Sequence, residues 1–121
     1  MSNSAKSVFY FGVYLIVLGI ALMLFPNPLL NLFGVPSTSE VWIRVVAMLL
    51  LALSVYYIVA SRLELTPIFK VTMYIRSTII LFFIAFSVAG FVTPNIILFA
   101  VIDFLGAVWT YLALRKEGKL S

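Results

Sequence analysis

Apolar residues in this chain fall into long unbroken runs, and the gaps between the runs hold most of its prolines, capping residues and charges. The first run, Val8 to Phe25, is closed by Pro26-Asn27-Pro28. It predicts a helix over about Ser7 to Phe25, which at ~1.5 Å per residue nears the ~30 Å hydrocarbon thickness of a bilayer. Three further runs predict helices over about 38 to 60, 67 to 90 and 94 to 114. Their starts are punctuated. Ser37-Thr38-Ser39-Glu40 matches a capping box, with Ser37 as cap and Glu40 three residues on. Thr66-Pro67 and Thr93-Pro94 each set a capping threonine before a proline suited to a first turn. Residues 1–6 read as a short polar tail.

Between the first two spans, Asn27-Pro28-Leu29-Leu30-Asn31-Leu32-Phe33-Gly34 reads either as a short interfacial helix or as a loop with apolar anchors. In the helical reading Asn27 caps, Pro28 takes the first position and Gly34 makes the exit. Only a few residues around Phe91–Thr93 separate the last two spans, so these form an antiparallel hairpin. Gly12 and Gly19 are seven apart and share a face, either for close helix approach or as a hinge. The expected fold is all-α: a four-transmembrane-helix antiparallel bundle with a short interfacial helix between the first and second spans. It forms a single integral membrane domain over residues 1–121.

Composition strengthens this reading. Of 121 residues, 64% are hydrophobic and 10% charged, whereas soluble domains are about half apolar and about a quarter charged. The expected solvent and first partner is therefore the lipid bilayer. The first run is too long for a typical signal peptide and no A-x-A-like site follows it, so it is expected to stay as a helix. Cysteine and histidine are both missing from the sequence. That removes thiol chemistry, the commonest general base and the usual ligands of zinc, haem and iron–sulfur groups, so neither a metal nor a cofactor is expected. The sequence carries no G-x-S-x-G, H-E-x-x-H, Walker or G-x-G-x-x-G pattern. Glu40 and Glu64 fall on opposite faces of the membrane and cannot act as an acid/base pair. No enzyme and no catalytic residues are expected.

The net charge of +4 invites a nucleic-acid reading, but its placement explains it without one. Lys6, Arg62, Lys70, Arg115, Lys116 and Lys119 fall on the side shared by both termini, and the other side holds only Arg44, with Glu40 beside it. By the positive-inside rule the protein is expected in the inner (cytoplasmic) membrane with both termini cytoplasmic. All six tyrosines (Tyr10, Tyr14, Tyr56, Tyr57, Tyr74, Tyr111) then lie in the cytoplasmic half, as an inner aromatic belt or, in part, as the lining of an inward-facing pocket.

Three ionisable residues lie inside the spans: Arg44, Arg76 and Asp103. Counting helix rise from the outer surface, Arg44 lies roughly 6 Å deep, Asp103 about 13 Å and Arg76 about 21 Å. Asp103 thus lies between the two arginines, and a long arginine side chain can cover the difference. Asp103, Gly106, Ala107 and Thr110 follow i, i+3, i+4, i+7 spacing, so this small, polar face should look into the bundle. An unpaired charge at mid-membrane costs about 2.5–3.5 kcal/mol even on a lenient scale. Pairing of Arg76 with Asp103 across the hairpin is therefore expected, with Arg44 as a third member; the alternative for Arg76 is snorkelling to the cytoplasmic face. Such a cluster is a structural clamp, a site for a polar ligand or headgroup, or a proton or ion path. The candidate ligand-binding residues are Arg44, Arg76, Asp103 and Thr110.

The residues Phe33-Gly34-Val35-Pro36, Trp42-Ile43-Arg44-Val45, Tyr56-Tyr57, Arg76 and Ile102-Asp103-x-x-Gly-Ala-x-Trp-Thr resemble a pattern of small four-helix bacterial membrane proteins. In size and topology the chain is also similar to DoxX-like proteins. The first resemblance implies a fold and no activity. The second implies an accessory role beside quinone-dependent electron transfer and transfers no site residue.

Two functions follow as expectations. One is a structural or accessory membrane protein, acting through helix contacts with another copy or a larger membrane complex. The other is a binder or small transporter of an amphiphile, a lipid or a quinone, held by the arginines. A continuous cavity beside Asp103 between tyrosine-bearing helices would favour the second, and a filled core with a small-residue face exposed on the first helix would favour the first.

Overall fold

A computed structural model describes residues 1–120. The chain is helical: α1 Asn3–Leu24, α2 Pro26–Leu32, α3 Trp42–Arg62, α4 Thr66–Val88, a 3-10 turn Pro94–Ile96 and α5 Ile97–Lys116. Four of these segments are long and apolar enough to cross a membrane, the last being the 3-10 turn together with α5. With α2 lying between the first and second, they form the expected all-α four-helix bundle of a multi-pass membrane protein.

Several boundaries move, each for a local reason. Helix α1 starts at Asn3, so the expected polar tail is largely a first helical turn. Ser2 caps it, its Oγ accepting from the Ala5 N–H at 3.1 Å. At the other end proline has no N–H to continue the ladder, so α1 stops before Pro26. That proline, rather than Pro28, opens α2, and Asn27 is not its cap. The Asn27 Oδ1 accepts instead from the Thr38 N–H at 2.8 Å, and the Ser37 hydroxyl donates to Asn31 Oδ1 at 3.1 Å. These bonds draw the 37–38 segment back onto α2. The expected capping box consequently does not form, and α3 begins at Trp42, four residues later than 38. Neither Thr66 nor Thr93 makes a side-chain cap; the Thr93 hydroxyl donates to the Gly34 carbonyl at 3.4 Å and ties the two loops of that end. Gly34 leaves α2 with φ +70°, in the left-handed region where a side chain is strained.

Helix α1 packs along α3, α4 packs along α5, and α1 against α5 joins the pairs, while α3 and α4 scarcely touch. Around the bundle the order is α3, α1, α5, α4, with a loose seam between α4 and α3. The end holding both termini is closed by Ala5, Val8, Ala60, Phe69, Met73, Ala107 and Leu114. Alanines at these positions let backbones approach closely, the packing device open to helices in lipid. Gly12 and Gly19 serve the same end between α1 and α3. A Cβ on Gly19 would lie 2.8 Å from Leu51 Cγ and 3.2 Å from the Ala47 carbonyl oxygen. Large apolar side chains such as Val17, Leu49, Val55 and Phe82 cover the outside, as a hydrocarbon solvent requires.

Replacing Gly19 with valine should therefore wedge α1 from α3. The expected cost is about 1–3 kcal/mol, read as a lower midpoint of thermal unfolding in detergent; an unchanged midpoint would refute the α1–α3 contact.

Candidate functional site

Arg76 lies about 15 Å along α4 from Thr66 and is 1% exposed. A guanidinium at this depth must find its acceptors within the protein. Its Nε donates to the Thr72 carbonyl at 3.2 Å, and Nη2 donates to Thr72 Oγ1 at 3.3 Å and Thr110 Oγ1 at 2.8 Å. The Phe11 ring covers one face, with Cζ 4.7 Å from the ring centroid, a cation–π contact. Gly106 on α5 makes room: a Cβ there would stand 3.0 Å from Arg76 Nη1 and 3.2 Å from Phe11 Cδ2. Nη1 itself is buried and has no hydrogen-bond partner among the described residues.

From Arg76 a line of hydroxyls runs to the terminal end of the bundle. Thr110 Oγ1 lies 2.7 Å from Ser7 Oγ, and the Ser7 hydroxyl donates to the Ser4 carbonyl at 2.6 Å. With that hydrogen so placed, Thr110 donates to Ser7 or to the Gly106 carbonyl at 3.1 Å while accepting from Arg76. The Ser4 hydroxyl donates to Glu117 Oε1 at 2.6 Å and its N–H to Oε2 at 3.2 Å. The Ser2 N–H and hydroxyl donate to the two Glu64 oxygens at 2.6 and 2.7 Å. Two carboxylates from distant parts of the chain thus sit at the positive end of α1, which has no acid in its own first turn. The Ser2 hydrogen bonds hold the Glu64 carboxyl below its ordinary range. Partial burial pushes Glu117 up, but its bonds from Ser4 and the charge of Lys119 outweigh this and leave it lowered.

On the other side of Arg76 the bundle is open. A cavity of about 450 Å³ reaches from Arg76, Phe11 and Tyr57 at mid-depth to Phe86 and Ile96 near the opposite end. Every α-helix contributes to its walls, which are apolar apart from Arg76, Asp103 and the two tyrosines Tyr14 and Tyr57. Both α3 and α4 line it while scarcely meeting each other, so the gap in its wall lies along their seam.

Asp103 lines this cavity, half-buried, and its carboxylate has no hydrogen-bond or ion-pair partner among the described residues. The expected Arg76–Asp103 pairing is therefore met only in part: the two groups share one cavity, but no ion pair of 4.0 Å or less joins them. Thr110 stands behind Arg76 as its hydrogen-bond acceptor rather than in the cavity wall. Arg44 is not part of the cluster, a correction to the sequence reading. It is exposed, its Nε donates to the Met23 carbonyl at 3.1 Å, and no ion pair joins it to Glu40. Its place in the first turn of α3 holds it at the bundle's far end, about 1.5 Å per residue from the start. Of the tyrosines, Tyr14 and Tyr57 line the cavity, whereas Tyr10, Tyr56, Tyr74 and Tyr111 are exposed. Sequence reasoning missed Phe11, Ser4, Ser7 and Glu117. The available signal was spacing: Ser4 and Ser7 are three apart, and Asp103, Thr110 and Glu117 recur every seven residues on one face.

Because the folded-state pKa values of Glu64 and Glu117 lie below the ordinary 4.5, their contribution to stability is present above about pH 4.5 and lost as pH falls through the folded values. Thermal scans of the detergent-solubilised protein should show this acid-side loss, and Glu117→Gln should make it shallower; an unchanged slope would deny Glu117 the role. No family model matches this chain, and neither a curated protein nor a solved structure matches it.

Proposed function

We propose that this protein binds a single amphiphile, a lipid or a quinone, drawn from the bilayer through the seam between α3 and α4. The observation that carries this is a buried arginine whose Nη1 has no hydrogen-bond partner among the described residues, at the inner end of a cavity whose only other polar lining among those residues is Asp103, Tyr14 and Tyr57. A hydrocarbon chain entering from the bilayer would fill the walls but leave that donor unmet. An unsatisfied buried donor costs about 1–3 kcal/mol, and more when it is charged. A molecule with an apolar body and a polar end removes the penalty, so the site discriminates by its head. The cavity is of ordinary ligand size, within the roughly 300–1,000 Å³ range.

A filled core with a small-residue face exposed on the first helix would have favoured the structural or accessory reading. Gly12 and Gly19 instead meet α3 within the same chain, and the cavity beside Asp103 supports the binding reading. The gathering of Lys6, Arg62, Arg115, Lys116 and Lys119 at the terminal end supports an inner-membrane protein with both termini cytoplasmic.

Native mass spectrometry of protein extracted gently from its own membrane should show one small-mass adduct. Leu50→Trp, which fills the cavity from α3, should abolish the adduct while leaving the fold intact; an adduct-free wild type, or one retained unchanged in Leu50→Trp, would refute the reading. Because the chain has no native cysteine, Glu40→Cys and Lys119→Cys test orientation directly. A membrane-impermeant maleimide added outside should label the first and spare the second, and the reverse pattern would invert the topology.

A further inference from the structure

The polar end of the cavity constrains its ligand beyond amphiphilicity. Among the described residues two polar groups there lack a partner: the donor Arg76 Nη1, buried against Gly106 and under the Phe11 ring, and the Asp103 carboxylate in the cavity wall, on different helices and not bonded to each other. Arginine keeps its proton in proteins, and Asp103 is the one acid in the cavity wall. A lone buried cation is costly in hydrocarbon, and Asp103 supplies its counter-charge. The pair leaves the site neutral overall. An anionic head meeting Nη1 would stand against the Asp103 carboxylate, and like charges in a poorly solvated space repel strongly. A purely accepting head would leave Asp103 unmatched. A hydroxyl meets both demands: its oxygen accepts from Nη1 and its hydrogen goes to Asp103.

Depth argues the same way. Arg76 and Asp103 lie about 15 and 20 Å from the terminal ends of their helices, and the apolar walls continue from there toward the opposite face. The ligand's polar end therefore sits in the middle of the membrane with its body reaching outward, the reverse of a lipid in that outer leaflet. A strongly hydrated phosphate or ammonium head resists such a position, whereas a single hydroxyl loses little. Size agrees, because about 450 Å³ takes one chain and a small head.

Resting on the amphiphile-binding reading above, we infer that the ligand is a single-chain hydrophobe with a small uncharged hydroxyl head, the hydroxyl bridging Arg76 Nη1 and Asp103. Phe11 lines the cavity and lies over the guanidinium, so the head reaches Nη1 past the edge of its ring.

The test presents 1-hexadecanol, palmitate and hexadecane separately to the protein in nanodiscs, at a pH that keeps palmitate ionised, and reads retained adduct by native mass spectrometry. Wild type should retain hexadecanol over palmitate and over hexadecane by about tenfold or more. Asp103→Asn removes the negative charge at nearly the same size; the Arg76 hydrogen bonds to Thr72 and Thr110 do not involve Asp103, so the variant should fold. It should gain palmitate and narrow or reverse the preference. Preference of wild type for palmitate, or an alcohol-to-palmitate ratio unmoved in Asp103→Asn, overturns the hydroxyl-head inference while leaving amphiphile binding in place. Retention of none of the three probes by wild type, with no small-mass adduct from the native membrane, overturns both.

Discussion

A permanently charged guanidinium held halfway across an apolar bundle governs the rest of this structure. The surrounding lipid offers Arg76 no hydrogen bond, so each donor must be met by the protein or by something the protein admits. Two of the three nitrogens are met, by Thr72 on the same helix and Thr110 on α5. That requirement accounts for features that look unrelated along the chain. Gly106 is small because the guanidinium occupies the space of its side chain, and Thr110 carries a hydroxyl because Nη2 needs an acceptor. Ser7 and Ser4 continue the line because a buried threonine hydroxyl needs partners of its own.

The bundle consequently has two unlike halves. At the terminal end, small residues bring backbones together and hydrogen bonds join α1 to α5 and to the 63–65 loop. In lipid, helix association draws on such close packing and polar contacts and not on a hydrophobic drive. At the other end large side chains line the cavity, and α3 and α4 scarcely touch. Arg76 stands at the border, its Nε and Nη2 bonded and its Nη1 buried with no partner among the described residues.

The spans, their number and the short helix after the first were legible in the sequence, because long apolar runs and prolines act locally. So was the inward-looking face of Asp103, Gly106, Ala107 and Thr110, where helical spacing suffices. Depth counting placed Arg76 and Asp103 close together but could not tell contact from two groups facing a shared space. That difference depends on which acceptors the guanidinium meets, here Thr72 and Thr110, a choice that no local pattern encodes. The same depth argument drew Arg44 into the cluster, since rise along an axis says nothing about rotation around it. The capping box at Ser37 failed because Asn27 and Asn31 compete for the same segment from another element. Gly12 and Gly19 showed a shared face in the sequence but not which helix it served.

The two carboxylates at the start of α1 carry a consequence for biogenesis. Helix α1 leaves the ribosome before the other three spans, but the groups that complete its end come from Glu64, after α3, and Glu117, just after α5. Until α5 has been made and placed, the hydroxyls of Ser4 and Ser7 have no partner across the bundle, and Arg76 lacks the acceptor on Thr110. The polar line from Arg76 to Glu117 therefore closes late: it forms only once α5 is in place, and until then Arg76 lacks one of its acceptors within the bilayer.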